Sequence, residues 1–242
     1  SDVVLNPAFD AGEVERLRNQ QLARISAELT QPEGLAGRAL PPILFGPNHP
    51  YAIPGNGTGD PATVKSLTRD ELIAFHKAWL RPEKGTFFVV SDKPLAAIRK
   101  ELDARFGTWK GEGAAGVKAN GIAPVAPKPR IVLINRPDSP QSLIIGGITL
   151  PLKGRDEVIT LLTANEVLGS GFLSRLNMDL RETKGWSYGV SGSLRRPEGD
   201  MSYVVGAPVQ ANKTGESITA LTHQMKLIIG EKPVTQEERD RT

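Results

Sequence analysis

Residues 107–129 constrain this chain more than any other stretch. They are dominated by Gly, Ala, Lys and Pro, with Gly111-Glu112-Gly113-Ala114-Ala115-Gly116 at the centre. Such a segment carries too little apolar side chain to offset the entropy of ordering it, so it cannot build a core. A chain of 242 residues interrupted there reads as two lobes of ordinary domain size. With 39% hydrophobic and 24% charged residues, the lobes can be globular rather than disordered.

In the first lobe, Asp10 can cap and Glu13 stands at the third helical position. Leu17, Leu22, Ile25 and Leu29 follow, which predicts a helix over about 11–30. Pro32 opens a second helix, about 33–44. Residues 46–61 are loop, punctuated by Gly and Pro. Thr68-Arg69-Asp70-Glu71 has the capping-box pattern, and Leu72, Phe75, His76 and Trp79 continue one helical face up to Arg81-Pro82. Thr86–Val90 is short, β-branched and aromatic, so a buried strand is expected. Pro94 begins another helix, with Leu95, Ile98, Leu102 and Phe106 on one face.

The second lobe opens with an expected strand at Arg130–Asn135, a turn at Pro137-Asp138-Ser139-Pro140 and a strand at Ser142–Thr149. Helices are predicted over about 156–168 and 172–183, broken by Gly169-Ser170-Gly171. Strands at Trp186–Leu194 and Met201–Pro208 follow, then a helix over about 214–229. Thr235-Gln236-Glu237-Glu238 is a second capping box with four residues after it, where a helix has barely begun. The start, Ser1-Asp2-Val3-Val4-Leu5, is equally abrupt. A fragment of a larger polypeptide is expected.

Several function classes are excluded or weakened. No cysteine is present, so disulfides, thiolate nucleophiles, Cys-ligated zinc and iron–sulfur clusters are out. No run of about 18 apolar residues suggests a membrane span, and Ser1–Asp10 lacks the pattern of a signal peptide. The net charge is +3 and the pI about 9.2, but basic and acidic residues interleave, as in Glu13-Val14-Glu15-Arg16-Leu17-Arg18. A mixed-charge surface fits better than a nucleic-acid stripe. Gly55-Asn56-Gly57-Thr58-Gly59 follows no strand and precedes no Gly-Lys-Ser/Thr, so it is a surface turn rather than a nucleotide loop. His49, His76 and His223 are scattered, and are expected as loop, core and helix-face residues rather than metal ligands.

The most unusual stretch is Leu168–Val190. A glycine break leads into an amphipathic helix with Arg175 and Arg181, an end signal at Gly185, and a strand bearing Trp186 and Tyr188. A helix-to-strand reversal could bring Arg181 and Tyr188 to one edge. A guanidinium fork and a phenolic hydroxyl can grip a carbonyl oxygen or stabilise it as an oxyanion. A helix-end Arg and a strand Tyr can equally be structural, and residue types alone leave both readings open. Trp186 could line the same cavity or pack as a buried strand aromatic.

This stretch resembles the insulinase-like (pitrilysin) zinc metallopeptidase family, in its inactive or C-terminal-domain region. Other pieces agree in order: Asn6-Pro7-Ala8-Phe9 into Glu15-Arg16-Leu17-Arg18, then Leu44–Ala52, Leu67–Leu72 and Phe75–Pro82. The resemblance implies an α+β fold of mitochondrial processing peptidase-like units, with two lobes of mainly antiparallel sheet covered by helices. It implies that residues 1–110 are the second half of one unit, 111–129 a linker, and 130–242 the truncated first half of the next.

The family's active units carry His-x-x-Glu-His and a distal Glu ligand for zinc. None of the three histidines here begins such a motif. The resemblance therefore implies no metal site and no catalytic residue in this chain, with zinc in a partner unit on the same chain or a second subunit. Arg181 and Tyr188 are the positions implied to bind peptide substrate, and the chain to close a substrate chamber. Periplasmic location is implied by bacterial relatives. The alternatives are a structural or regulatory scaffold with no role in catalysis, and a free-standing module that binds peptides along an exposed sheet edge.

Overall fold

The computed structural model describes residues 2–119, 121–126 and 128–242. The chain folds into two compact units that do not follow chain order: residues 1–26 with 58–119, and residues 27–57 with 120–242. The fold is α+β, and all paired strands among the described residues lie in the second unit.

The first unit contains α1 (Asp2–Leu5), α2 (Ala11–Glu28) up to Ser26, α4 (Pro61–Ser66), α5 (Arg69–Trp79) and α6 (Leu95–Phe106). The capping boxes and prolines read from sequence set these boundaries. Asp60 accepts from the Ala62 and Thr63 amides ahead of Pro61, and Thr68 and Glu71 cap each other's backbone at the start of α5. His76 lies 2.8 Å from the Val4 carbonyl through Nε2 and meets the Phe9 ring edge-on. It is half-buried on the helix face rather than the core residue expected from sequence.

The glycine-rich stretch runs as a strap along α5. The Gly116 amide donates to the Ala78 carbonyl, and Arg81 donates to the Glu112 and Gly113 carbonyls. A Cβ on Gly116 would fall 2.3 Å from the Trp79 ring, so only glycine permits this approach. The composition was read as too poor to pack; its poverty is what lets the backbone lie against an aromatic face.

The second unit holds α3 (Pro32–Phe45), a three-stranded antiparallel sheet and the C-terminal helices. Its strands are β1 (Gln141–Lys153), β2 (Ser191–Arg195) and β3 (Asp200–Gln210), in the order β1-β3-β2. The β1–β3 register runs from Gln141 opposite Gln210 to Thr149 opposite Ser202. Helix α9 (Thr214–Ile229) closes one side, and the core gathers Leu176, Leu180, Val190, Val205, Ala207, Val209, Ala220 and Leu221. Residues 27–57 join this unit because α3 packs on β1. The Tyr51 hydroxyl accepts from the Gly199 amide at 2.7 Å. His49 is buried rather than a free loop residue: it stacks on Phe45 and accepts from the Tyr51 amide.

Four expectations are corrected. Thr86–Val90 and Arg130–Asn135 form no paired strand, because no strand among the described residues lies alongside them. The helix expected over 156–168 splits into α7 (Ile159–Asn165) and a π-helical turn at Glu166–Ser170. The strand expected over 186–194 is continuous only from Ser191.

The chain ends in α10 (Gln236–Arg241), which begins on the expected Thr235/Glu238 capping box. Arg175 grips Glu238 with two bonds, 2.7 Å from Nε and 2.6 Å from a terminal nitrogen, and donates to the Lys232 and Pro233 carbonyls. The hydrogen bond from Arg175 is the main reason the Glu238 carboxyl is held down at about 2, with the Thr235 backbone adding to it. Because the folded-state value lies below the ordinary 4.5, this pair stabilises the fold fully above about pH 4.5, and the contribution fades as pH falls toward 2. Glu238→Gln should cost on the order of 2 kcal/mol at pH 7, lowering Tm by roughly 4–8 °C. Thermal melts from pH 7 to pH 2 should show the gap between wild type and variant closing as the pH drops.

Candidate functional site

The Leu168–Val190 stretch is shaped by one buried asparagine. Asn177 lies in α8 (Arg175–Asn177), which continues as a π-helical turn over Met178–Thr183. Its amide nitrogen donates to the Phe172 carbonyl at 2.7 Å, and its oxygen accepts from the Val190 amide at 3.0 Å. One side chain thus clasps both ends of the segment that carries Arg181 and Tyr188. π-Helical turns of this kind are rare and recur at functional sites. Sequence reasoning missed Asn177. The available signal was an asparagine inside a helix, where its side chain usually competes with the backbone.

Gly185 turns the chain at φ +64°, where a β-carbon would be strained. The Trp186 amide then donates to the Leu180 carbonyl, and the Trp186 carbonyl accepts from the Gln210 amide. Ser187 forms an isolated bridge with Val209, while regular pairing of β2 with β3 begins only at Ser191 opposite Gly206. From 187 to 191 the chain takes four steps against three on β3, so one extra residue bulges outward. Opposite the bulge stands Pro208, which has no amide to donate, and the Ser187 hydroxyl takes the Pro208 carbonyl at 2.6 Å. A proline in the central strand and the bulge in its partner explain each other, and both interrupt the strand expected from sequence.

Tyr188 sits in this bulge and is 85% exposed. Among the described residues its hydroxyl has no hydrogen-bond partner. Arg181, in the π-helical turn, lies over the Phe172 ring at 4.7 Å and pairs through Nε with Glu182 at 3.2 Å. Its side chain is 40% exposed. The structure brings Arg181 and Tyr188 onto one clasped segment, but among the described residues no hydrogen bond or ion pair joins them. Trp186 is half-buried against the core, and the ammonium groups of Lys184 and Lys213 lie 5.6 and 5.4 Å from its ring. Its placement is that of a packing aromatic under a cationic rim.

The donor set for a metal is not assembled from these residues. His49 Nδ1 is occupied by the Tyr51 amide and its Nε2 lies 3.7 Å from Asp200, His76 faces the Val4 carbonyl, and His223 is exposed on α9. Among the described residues no three His, Cys, Asp or Glu side chains converge. Among the described residues no helix is long and apolar enough to cross a membrane.

Comparison with known proteins decides the lineage. The profile of the family described as the peptidase M16 inactive domain matches residues 66–242. This chain belongs to the peptidase M16 family. The inactive domain's likeness extends to an uncharacterized zinc protease of Mycobacterium tuberculosis, 30% identical over 207 residues. That match covers 80% of this chain and 44% of the relative. Among solved structures, a peptidase M16 inactive domain from Pseudomonas fluorescens superposes with a TM-score of 0.85 at 26% identity, over 99% of this chain and 56% of that one. The first half of the periplasmic protease PqqL from Escherichia coli has the same fold, with a TM-score of 0.60 at 15% identity over 97% of this chain and 50% of that one. This M16 chain thus spans less than half the length of the curated relative it matches.

The clasp carries a stability prediction. Asn177→Ala leaves the Val190 amide and the Phe172 carbonyl without partners, and should cost about 2–4 kcal/mol. Denaturant unfolding should show a lower midpoint, and amide exchange at Val190 should accelerate more than exchange along β1.

Proposed function

We propose that this chain is the non-catalytic portion of an M16 zinc metallopeptidase, closing a substrate chamber whose zinc sits in another unit. Arg181 and Tyr188 contact the peptide there. Residues 1–110 are the second half of one peptidase-like unit, 111–129 the linker, and 130–242 the first half of the next. The family match over 66–242 supports the non-catalytic assignment. The observation that carries the substrate role is the bulge opposite Pro208. It holds an unpartnered phenol outward from a rigid strand, on a segment whose other arm presents a half-exposed guanidinium.

In chemical terms the two groups supply donors and no proton acceptor of catalytic strength. A guanidinium remains charged at any physiological pH and offers a planar fork, and a phenol offers one rotatable donor. Both suit a peptide carbonyl, and either becomes worth more as that oxygen gains charge. Catalytic water activation then belongs to the zinc-bearing unit, on the same polypeptide or a second subunit. Likeness to a periplasmic protease supports a periplasmic setting.

A scaffold reading competes, and one observation favours it: Arg181 is already engaged by Phe172 and Glu182. The two readings part in the full-length parent. Arg181→Ala and Tyr188→Phe should each lower kcat/KM for peptide cleavage by roughly tenfold to a hundredfold with Tm unchanged. Unaltered turnover would establish the scaffold reading. Zinc analysis of residues 1–242 alone should find no stoichiometric metal, and chelator-sensitive cleavage by this piece would refute the division of labour.

A further inference from the structure

Arg181 is held on two sides and open on the third. Its guanidinium carbon lies over the Phe172 ring at 4.7 Å, and its Nε, the nitrogen nearest the stem, pairs with Glu182 at 3.2 Å. Among the described residues neither terminal nitrogen has a hydrogen-bond partner. The outer edge of the fork, which would meet a carbonyl oxygen, is therefore the part left free. An arginine side chain has several rotatable bonds, and ordering them on binding costs free energy. Here two contacts restrict them before any ligand arrives.

Phe172 owes little of its place to burial. It is 60% exposed and lies outside the core cluster of the second unit. Its backbone is nevertheless fixed. The Phe172 carbonyl accepts from the Asn177 side chain at 2.7 Å, and the Ser174 amide closes the turn on the Gly171 carbonyl at 3.0 Å. The same asparagine accepts from the Val190 amide, where the bulge that carries Tyr188 ends. One buried side chain thus steadies both the Tyr188 bulge and the ring beneath Arg181.

We infer that Phe172 is a positioning residue for Arg181, its π face holding the guanidinium in the pose from which the terminal nitrogens reach a peptide carbonyl. This rests on the reading of Arg181 as a peptide contact. A ring suits the task because it attracts the face of the cation and leaves the N–H edge free, whereas a carboxylate in its place would occupy those donors. Glu182 adds to the restriction at Nε, away from the outer edge of the fork. The engagement that favours a scaffold reading is, on this view, preorganisation. Its benefit grows as the carbonyl oxygen gains charge, so it belongs to kcat more than to KM.

A double-mutant cycle in the full-length parent tests this, with kcat and KM measured on one peptide substrate. Phe172→Leu should lower kcat by about threefold to tenfold, with KM within about twofold of wild type and Tm unchanged. Phe172→Tyr, which keeps the aromatic face, should retain wild-type kcat. In an Arg181→Ala background, Phe172→Leu should have no further effect. An equal loss in both backgrounds would show that Phe172 acts on substrate or fold directly and would overturn the inference. A loss in Phe172→Tyr as large as that in Phe172→Leu would do the same. Wild-type kcat in Phe172→Leu beside an impaired Arg181→Ala would also overturn it, while leaving the peptide contact standing. Turnover unaltered by Arg181→Ala would instead remove that contact, and the inference with it.

Discussion

Strand β3 is the element on which the second unit depends. It is paired on both edges, to β1 through nine consecutive register pairs from Gln141–Gln210 to Thr149–Ser202, and to β2 from Ser191 onward. Its inward side chains Val205, Ala207 and Val209 form the middle of the core that α9 and the Leu176–Leu180 helix complete. Backbone groups buried at such a position have to be paired, and β3 satisfies them without help from water. The phenol of Tyr203, on the same strand, donates to Asn165 at 2.9 Å, and burial pushes its pKa up to about 12. It acts as a fixed donor.

The candidate site inherits its geometry from the end of that strand. Pro208 removes one amide from β3, the partner strand bulges to pass it, and Tyr188 is turned outward as a result. Asn177 and Gly185 then determine how the Arg181 turn meets the strand. Backbone chemistry therefore explains the site better than its charges do. The cations around Trp186 are mostly matched locally, Lys184 by Asp179 and Lys213 by Glu216. A set of paired charges gives weak long-range steering, so the proposed peptide contact would depend on shape and on directed donors.

Much of the helical architecture was legible in the residues. The α5 and α10 capping boxes, the proline opening α3 and the α9 boundaries sit where local chemistry places them, whereas α4 is missed because Pro61 reads as loop punctuation. Arg181 and Tyr188 were identified by position within a family pattern, and their exposure follows from the structure. Thr86–Val90 and Arg130–Asn135 read as strands from composition, the first as a buried one, and neither is paired among the described residues. Thr86–Val90 has the right residues, yet burial belongs to a partnership that its own side chains do not specify. The Leu168–Val190 segment reads in sequence as a glycine break, one helix and a strand, because the bulge depends on Pro208 across the sheet and the clasp on the contact of Asn177 with Val190, neither of which a local pattern shows.

The sequence by itself determined the absence of thiol chemistry, the boundaries of α3, α5 and α9, the poor core-forming composition of 107–129 and membership in the M16 family. These rest on interactions that reach four residues or fewer, or on a pattern read along the chain. Tertiary structure alone decided that residues 27–57 fold with the second unit, that the glycine strap lies on Trp79, and that Tyr188 faces outward from a bulge. Each of these depends on which distant backbone a segment meets. A strand's hydrogen bonds are made to another part of the chain, so no local pattern can name the partner.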